Sequence, residues 1–148
     1  MKFLVAVDGS TEAEEALDCA INVADEMGAS VTAIHAIGPE IFDEGGDEPV
    51  SFRDASGRLV QESLDDAEQR GFDVVEDAAA HAAEAGQAVD TDVVYGDPPI
   101  AISEHAEREE FDAIFVGHRG RNPRAELMLG SVAKGLVERA SVPVTVVR

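Results

Sequence analysis

The chain has 148 residues, of which 45% are hydrophobic, and a formal net charge of -20 from 31 acidic and 11 basic side chains. This length is enough for one domain, 1–148, with a buried core, and the negative surface argues against nucleic-acid binding, because phosphates attract basic side chains. No apolar run is long enough to cross a membrane or to act as a signal peptide, and the single Cys19 can form neither an internal disulfide nor a CxxC metal site, so we expect a cytoplasmic protein.

The first half of the chain predicts two strands and two helices. Short valine- and isoleucine-rich segments indicate strands at Phe3 to Asp8 and Ser30 to Ile37. Between them lies an amphipathic stripe with a capping box, Thr11 with Glu14, at its start and Gly28 at its end. A second stripe, interrupted by Gly71 as a weak position, contains Val60, Leu64, Ala67, Val74, Val75, Ala78, Ala82 and Ala83.

The second half continues the alternation. Strands are predicted at Ala88 to Tyr95, Asp112 to Gly117 and Val142 to Val147. A helix from Pro99 to Arg108 separates the first two, because proline suits a first helical turn. The last helix begins near Gly130 or Ser131, and its apolar side contains Val132, Ala133, Leu136, Val137 and Ala140.

Strands that alternate with helices indicate right-handed crossovers and a parallel sheet covered on both faces. The predicted fold is therefore an α/β, doubly wound, three-layer sandwich with a five-stranded parallel sheet and four helices. One long irregular stretch, Gly38 to Gly57, follows the second strand, and a loop of this length is usually functional or mobile. In such sheets, ligands bind beyond the carboxyl ends of the strands, where the strand order reverses.

The segment after the fourth strand has the features of an anion site. Gly117 and Gly120 allow the backbone to approach a ligand, and Gly130-Ser131 opens a helix whose free N–H groups favour phosphate. Planar cations with several donors come from Arg119, Arg121 and Arg124. Each feature alone is more often a turn, a cap or a solvated side chain. Their joint occurrence after one strand favours a phosphate site.

Asp8 is the acidic residue best placed for function, because it ends the first strand. It could bond a ribose, an adenine amine or a bound Mg²⁺, or it could cap the first helix. His35 and His118 could both face the cleft, but with Asp8 they lack the spacing of a metal site. Apart from a possible contact of Asp8 with Mg²⁺, the sequence therefore predicts no metal site, and it offers no catalytic triad or Cys-His pair.

Other nucleotide-binding classes fit poorly. The spacing GxxxxGK[ST] of a P-loop ATPase is absent. The first strand is followed by DGS rather than by the GxGxxG of a dinucleotide-binding fold. A receiver domain would need an acidic cluster after the first strand, where this chain has only Asp8.

The glycine spacing resembles that of a known family. The G-2x-G-9x-G-[ST] motif of the ATP-binding universal stress proteins is matched by Gly117, Gly120, Gly130 and Ser131. The stretches VAVDGS, AIHAI, GDPP and SVPVTVVR support the likeness, which covers essentially the whole chain.

The resemblance implies strand order 3-2-1-4-5, bound ATP or a related adenine nucleotide (AMP or ADP), and a homodimer through the final strand, Val142 to Val147. The second protomer of such a dimer would also cover the exposed edge of that strand. Mg²⁺ is a candidate companion of the nucleotide through Asp8. Carried over to this chain, the adenosine end is lined by Ala6, Val7, Asp8 and Ala36, and the ribose and phosphates are held by Gly117, Gly120, Gly130, Ser131 and Val132. His118 stands where the family often has serine, so its larger ring could crowd or bond the ligand.

Three functions follow as hypotheses. The first is a nucleotide-binding regulatory module of the stress response, with at most weak ATP hydrolysis. The second is a slow Mg²⁺-dependent ATPase or phosphotransferase that uses Asp8. The third is a nucleotide-free interaction module whose loop arginines contact an acidic partner.

The acidic side chains are spread over every predicted helix rather than gathered in a tail. Such a surface repels itself in dilute salt, whereas multimolar ions shorten the Debye length to about 3 Å or less. The composition therefore resembles that of halophilic proteins from organisms with a salt-rich cytoplasm.

Overall fold

The computed structural model describes residues 1–38, 41–43, 59–119 and 129–148. These residues form seven strands and four helices in this order: β1 (Lys2–Ala6), α1 (Thr11–Met27), β2 (Ser30–Ile37), β3 (Ile41–Asp43), β4 (Leu59–Gln61), α2 (Leu64–Glu84), β5 (Asp90–Tyr95), α3 (Pro98–Arg108), β6 (Ala113–Gly117), α4 (Ser131–Arg139) and β7 (Val144–Val147). None of the described helices has an apolar stretch long enough to span a membrane.

The main sheet has the order β5-β2-β1-β6-β7, and every neighbouring pair in it is parallel. Numbered as the five predicted strands, this order is 3-2-1-4-5. The predicted doubly wound α/β sandwich is therefore confirmed, although several strands are one or two residues shorter than expected.

Two apolar cores cover the two faces of the sheet. Successive side chains of β1 point to opposite faces, so that Phe3 and Val5 pack with α1 and α2, whereas Leu4 and Ala6 pack on the opposite face, which α3 and α4 cover. Full burial of a large apolar side chain stabilises the fold by about 1.5–3 kcal/mol. The near-continuous apolar sequence of β1 therefore makes it the central strand.

The segment after β2 differs from the prediction. Residues 41–43 form β3, which pairs antiparallel with β4, so part of the expected irregular stretch Gly38 to Gly57 is a strand. Val60 was expected on a helix but lies in β4. Helix α2 begins later, after Ser63, whose hydroxyl accepts a hydrogen bond from the Asp66 N–H at 3.1 Å and caps the helix. Four apolar residues of the predicted helical stripes are exposed, namely Met27, which is the last one before Gly28, and Leu64, Ala83 and Val137.

Gly71 is a close-contact position rather than the weak position that the sequence predicts. It is buried where α2 crosses β2, and a Cβ at this residue would lie 2.7 Å from Ile37 Cγ1 and 3.1 Å from His35 Cδ2. The missing side chain therefore lets the helix pack closely against the end of β2.

We expect Gly71→Ala to lower the free energy of unfolding by roughly 1–2 kcal/mol, because overpacking outweighs the better helix propensity of alanine. Chemical denaturation measures this change. Asp77→Ala, at an exposed position of the same helix, should have a much smaller effect. Equal or greater stability of Gly71→Ala would contradict the close contact.

A histidine–aspartate pair joins α1 to α2 on the surface. His81 Nε2 lies 2.8 Å from Asp18 Oδ1. This hydrogen bond raises the pKa of His81 above its ordinary value of 6.5, against a smaller opposing effect of desolvation, and the negative charges of Asp18, Glu14 and Glu84 raise it further. Protonated His81 is therefore favoured in the folded state.

Because the folded-state pKa is the higher one, the pair should stabilise the fold fully below pH 6.5 and lose this effect as the pH rises through the raised value. The stability difference between wild type and His81→Gln should follow that course, with an amplitude below about 1 kcal/mol for an exposed pair. Denaturation at a series of pH values, in low and high salt, measures it. A difference that grows with rising pH would contradict the assigned partner.

Candidate functional site

The carboxyl ends of β1, β2 and β6 meet at one edge of the sheet. β1 pairs with β2 on one side and with β6 on the other. The chain leaves β1 toward β2 and β5, whereas β6 and β7 lie on the opposite side. The strand order therefore reverses between β1 and β6, which is where a doubly wound sheet opens a ligand cleft.

The residues expected at the adenosine end lie at this edge, but they do not share one wall. Ala6 and Ala36 are buried in the core on the face of α3 and α4. Val7 belongs to the opposite core, and its backbone is engaged within the chain: its N–H donates to the Ile34 carbonyl at 2.9 Å. Of these three residues, Ala6 and Ala36 therefore present their side chains to one face and Val7 to the other.

Asp8 follows β1 and organises the turn into α1. One carboxylate oxygen, Oδ1, accepts hydrogen bonds from the Ser10 backbone N–H at 3.0 Å and from the Ser10 hydroxyl at 2.5 Å. The other oxygen, Oδ2, makes no hydrogen bond to any residue that the structure describes. Half-buried Asp8 is thus held in place by one oxygen and retains a second acceptor at the edge of the sheet.

The cap of α1 lies one residue earlier than predicted. Ser10, in an extended conformation, accepts the Ala13 N–H at 3.1 Å through its hydroxyl, whereas Thr11 is already the first helical residue. The predicted capping box of Thr11 and Glu14 is therefore wrong. Asp8 does not cap the helix itself but holds the serine that does.

We expect Ser10→Ala to lower the free energy of unfolding by about 1 kcal/mol, because it removes the cap. Thr11→Ala is the matched control, since Thr11 is exposed and follows the cap directly. Thermal and chemical denaturation of both variants measure the difference. A larger loss for Thr11→Ala would restore the capping box that the sequence predicts.

Gly117 ends β6 and packs against the first turn of α1. A Cβ at this position would lie 2.8 Å from the backbone oxygen of Glu12 and 3.0 Å from its Cβ. Glycine is therefore needed here for packing between strand and helix. The sequence suggests a different reason for this glycine, namely that it lets the backbone approach a bound ligand.

The residues that border the predicted phosphate loop are brought together. The His118 N–H donates to the Val147 carbonyl at 2.8 Å, and the His118 carbonyl accepts the Gly130 N–H at 2.6 Å. Gly130 is the N-cap of α4, with φ -61° and ψ 154°, and provides no side-chain cap. Exposed Ser131 and half-buried Val132 form the first turn of α4. Gly120, Arg121 and Arg124 lie outside the described residues.

Two buried nitrogen atoms follow β6. The Nδ1 atom of His118 and the Nε atom of Arg119 are inaccessible to solvent and have no hydrogen-bond partner among the described residues. The Nη2 atom of Arg119 lies 3.9 Å from Glu12 Oε1 in α1. A cation with an unused donor is therefore positioned beside Gly117 and the first turn of α1.

A buried polar network behind this edge was missed by the sequence analysis. His35, which was expected to be able to face the cleft, is only 6% exposed, and its Nδ1 lies 2.7 Å from the Val7 carbonyl. Because a carbonyl only accepts, Nδ1 carries the proton, and Nε2 can accept from Arg70 Nη1 at 3.4 Å. Arg70 also forms a two-point ion pair with Glu62 at 3.1 and 3.0 Å.

Nothing in the local sequence indicates this network. Arg70 and Glu62 lie on opposite sides of the start of α2, and β2 reaches them only through the tertiary packing. Within the described part of the chain, no three His, Cys, Asp or Glu side chains come together as a metal site would require.

Comparison with known proteins identifies related sequences over the whole chain. The profile of the Universal stress protein family matches residues 1–148. The universal stress protein YxiE of Bacillus subtilis is 31% identical over 153 residues, covering 99% of this chain and 98% of that protein. A universal stress protein of Methanocaldococcus jannaschii is 31% identical over 148 residues, covering 99% of this chain and 81% of that protein.

Solved structures share the fold. A universal stress protein from Archaeoglobus fulgidus has a TM-score of 0.73 at 24% identity, covering 100% of this chain and 98% of that chain. A structure of the universal stress protein from Archaeoglobus fulgidus in complex with dAMP has a TM-score of 0.66 at 22% identity, with 100% and 98% covered. A universal stress protein family protein from Arabidopsis thaliana with AMP bound has a TM-score of 0.65 at 20% identity, with 99% and 90% covered.

Proposed function

The chain belongs to the universal stress protein family, and from this premise we propose that it binds an adenine nucleotide and acts as a regulatory module in the stress response. The proposed site lies at the carboxyl ends of β1, β2 and β6. The dAMP and AMP complexes of two similar structures support the adenine base as the recognised group. The glycine motif favours ATP as the form bound.

The start of α4 is the observation that carries this proposal. The first N–H groups of a helix have no partner within the helix, and the aligned peptide dipoles place about half a positive charge there. At Gly130 no cap side chain occupies these donors, and the hydrogen bond to the His118 carbonyl fixes the helix beside the end of β6. A phosphate group fits both the donors and the charge.

The other residues divide between the two ends of the nucleotide. We assign Ala6, Val7, Asp8 and Ala36 to the adenosine end, where the free Oδ2 of Asp8 can accept from a ribose hydroxyl or an adenine amine. The Val7 N–H already donates to the Ile34 carbonyl and the Val7 carbonyl already accepts from His35 Nδ1, so Val7 would contribute only through the second lone pair of that carbonyl. The proposed phosphate end comprises Gly117, His118, Arg119, Gly120, Gly130, Ser131 and Val132, with Mg²⁺ as a possible companion of ATP.

A homodimer is part of the same proposal. Among the described strands, β7 pairs with β6 alone, so its other backbone edge is open. Its partly buried valines and neighbouring Val142 give this edge an apolar character. A second copy pairing along Val142 to Val147 would cover the edge. The homodimer, the single domain over 1–148, the cytoplasmic location and the halophilic origin stay predictions.

We expect the wild-type protein to be stabilised by ATP, by about 2.7 kcal/mol at a hundredfold excess over Kd, and Gly130→Val to lose this effect. Valine can adopt the φ and ψ of Gly130 without strain, so the variant should fold while its side chain blocks the phosphates. Thermal unfolding with and without ATP, AMP and adenosine in high salt measures both properties.

Glu138→Val on the exposed side of the same helix is the control, and it should keep the nucleotide-dependent shift. A wild-type protein that neither carries a nucleotide after purification nor is stabilised by any of the three ligands would overturn the proposed function. Release of phosphate from ATP that is lost in Asp8→Asn would instead indicate the slow ATPase.

A further inference from the structure

We propose that Arg119 makes the nucleotide site selective for the number of phosphates, and that Glu12 competes with the phosphates for its guanidinium group. This inference rests on the proposed function, because it concerns the same site. It adds a residue-specific chemistry: Arg119 contributes nothing to adenosine and increasingly more to ligands of greater negative charge.

The backbone next to Arg119 is held in place by hydrogen bonds. The preceding residue, His118, is held by β7 through its N–H and by Gly130 through its carbonyl, at 2.8 and 2.6 Å. Arg119 therefore extends from a backbone that is fixed to both the sheet and the start of α4. A side chain anchored in this way loses less conformational freedom when it binds a ligand.

The buried Nε atom of Arg119 indicates what kind of group it should meet. Buried donors almost always have an acceptor, and Nε finds none in the described residues. Arginine can only donate, and its planar group matches carboxylate and phosphate oxygens. An anionic oxygen of a ligand would therefore supply the acceptor that Nε lacks among the described residues.

Glu12 provides such oxygens only in part. The closest approach, from Nη2 to Oε1, is 3.9 Å, which is too long for a hydrogen bond and leaves Nε unused. Both side chains are partly exposed, at 29% and 28%, and pairs of this kind contribute little. The guanidinium can therefore exchange Glu12 for a phosphate at low cost.

Because the chain has a large negative net charge, the contact of Arg119 with a phosphate should have a large effect on ligand affinity. With 31 acidic side chains against 11 basic ones, the chain repels an anionic ligand at long range. Salt screens the distant charges much more than a direct contact. A single local cation should therefore affect ATP more than AMP, and AMP more than uncharged adenosine.

The test compares the Kd values of adenosine, AMP and ATP by calorimetry in one high-salt buffer. In Arg119→Met we expect unchanged adenosine binding and about tenfold weaker ATP binding, with AMP between them. Arg119→Lys, which keeps the charge but lacks Nε, should lie between wild type and Arg119→Met. Glu12→Gln should strengthen ATP binding a few-fold and leave adenosine unchanged.

Matched controls separate contact from net charge. Arg139→Met removes a positive charge at an exposed position in the last turn of α4 and is the control for Arg119→Met. Glu14→Gln removes a negative charge at an exposed position in the first turn of α1 and is the control for Glu12→Gln. Neither should change the ratio of ATP to adenosine affinity. Unfolding without ligand checks that all variants fold.

Each other outcome overturns the inference. An equal loss for all three ligands in Arg119→Met, an unchanged ratio, or the same effect from Arg139→Met would show that Arg119 does not select phosphates. These results would leave the proposed function intact, because the wild type would still bind adenosine and ATP. Absence of binding of any ligand to the wild type would overturn both.

Discussion

The parallel pairing of β1 with β2 on one side and β6 on the other is the constraint on which the site depends. Phe3, Leu4 and Val5 are buried almost completely, and β1 has hydrogen-bonded neighbours along both edges. Because parallel strands end at the same edge, this pairing brings Asp8, Ala36 and Gly117 together. It also places the starts of α1 and α4 at that edge; α1 is capped there by Ser10, whereas α4 has no side-chain cap and its first N–H groups can meet an anion.

An acidic protein can form an anion site only if its positive potential is local. At the proposed site, the local sources would be the start of α4 at Gly130, which has no side-chain cap, and the cation of Arg119. Each acts over a few ångströms and is screened less than the distributed surface charge. The same surface charge is an advantage in concentrated salt, where repulsion is damped and acidic side chains keep the protein dissolved.

The network of His35, Arg70 and Glu62 connects this edge to α2. The ion pair is largely buried, with side chains 17% and 8% exposed, and such pairs repay their desolvation only when the geometry is good and other donors are satisfied. Arg70 meets that condition through two contacts with Glu62 and further contacts with His35 and the Gly38 carbonyl. Through His35, the carbonyl of Val7 and hence the turn at Asp8 are held against the α2 face.

The sequence by itself determined the fold class, the main strands, most helix bounds and the family, because apolar periodicity and glycine spacing are local properties of the chain. Only the tertiary structure decided that Ser10 rather than Thr11 caps α1, that β3 pairs with β4, and that Gly117 and Gly71 face other elements at contact distance. It also decided that His35 turns from the cleft into a buried network. These features depend on pairs of residues that are distant in the chain or on a one-residue choice of backbone conformation, and a pattern of residue types along one segment carries no information about either.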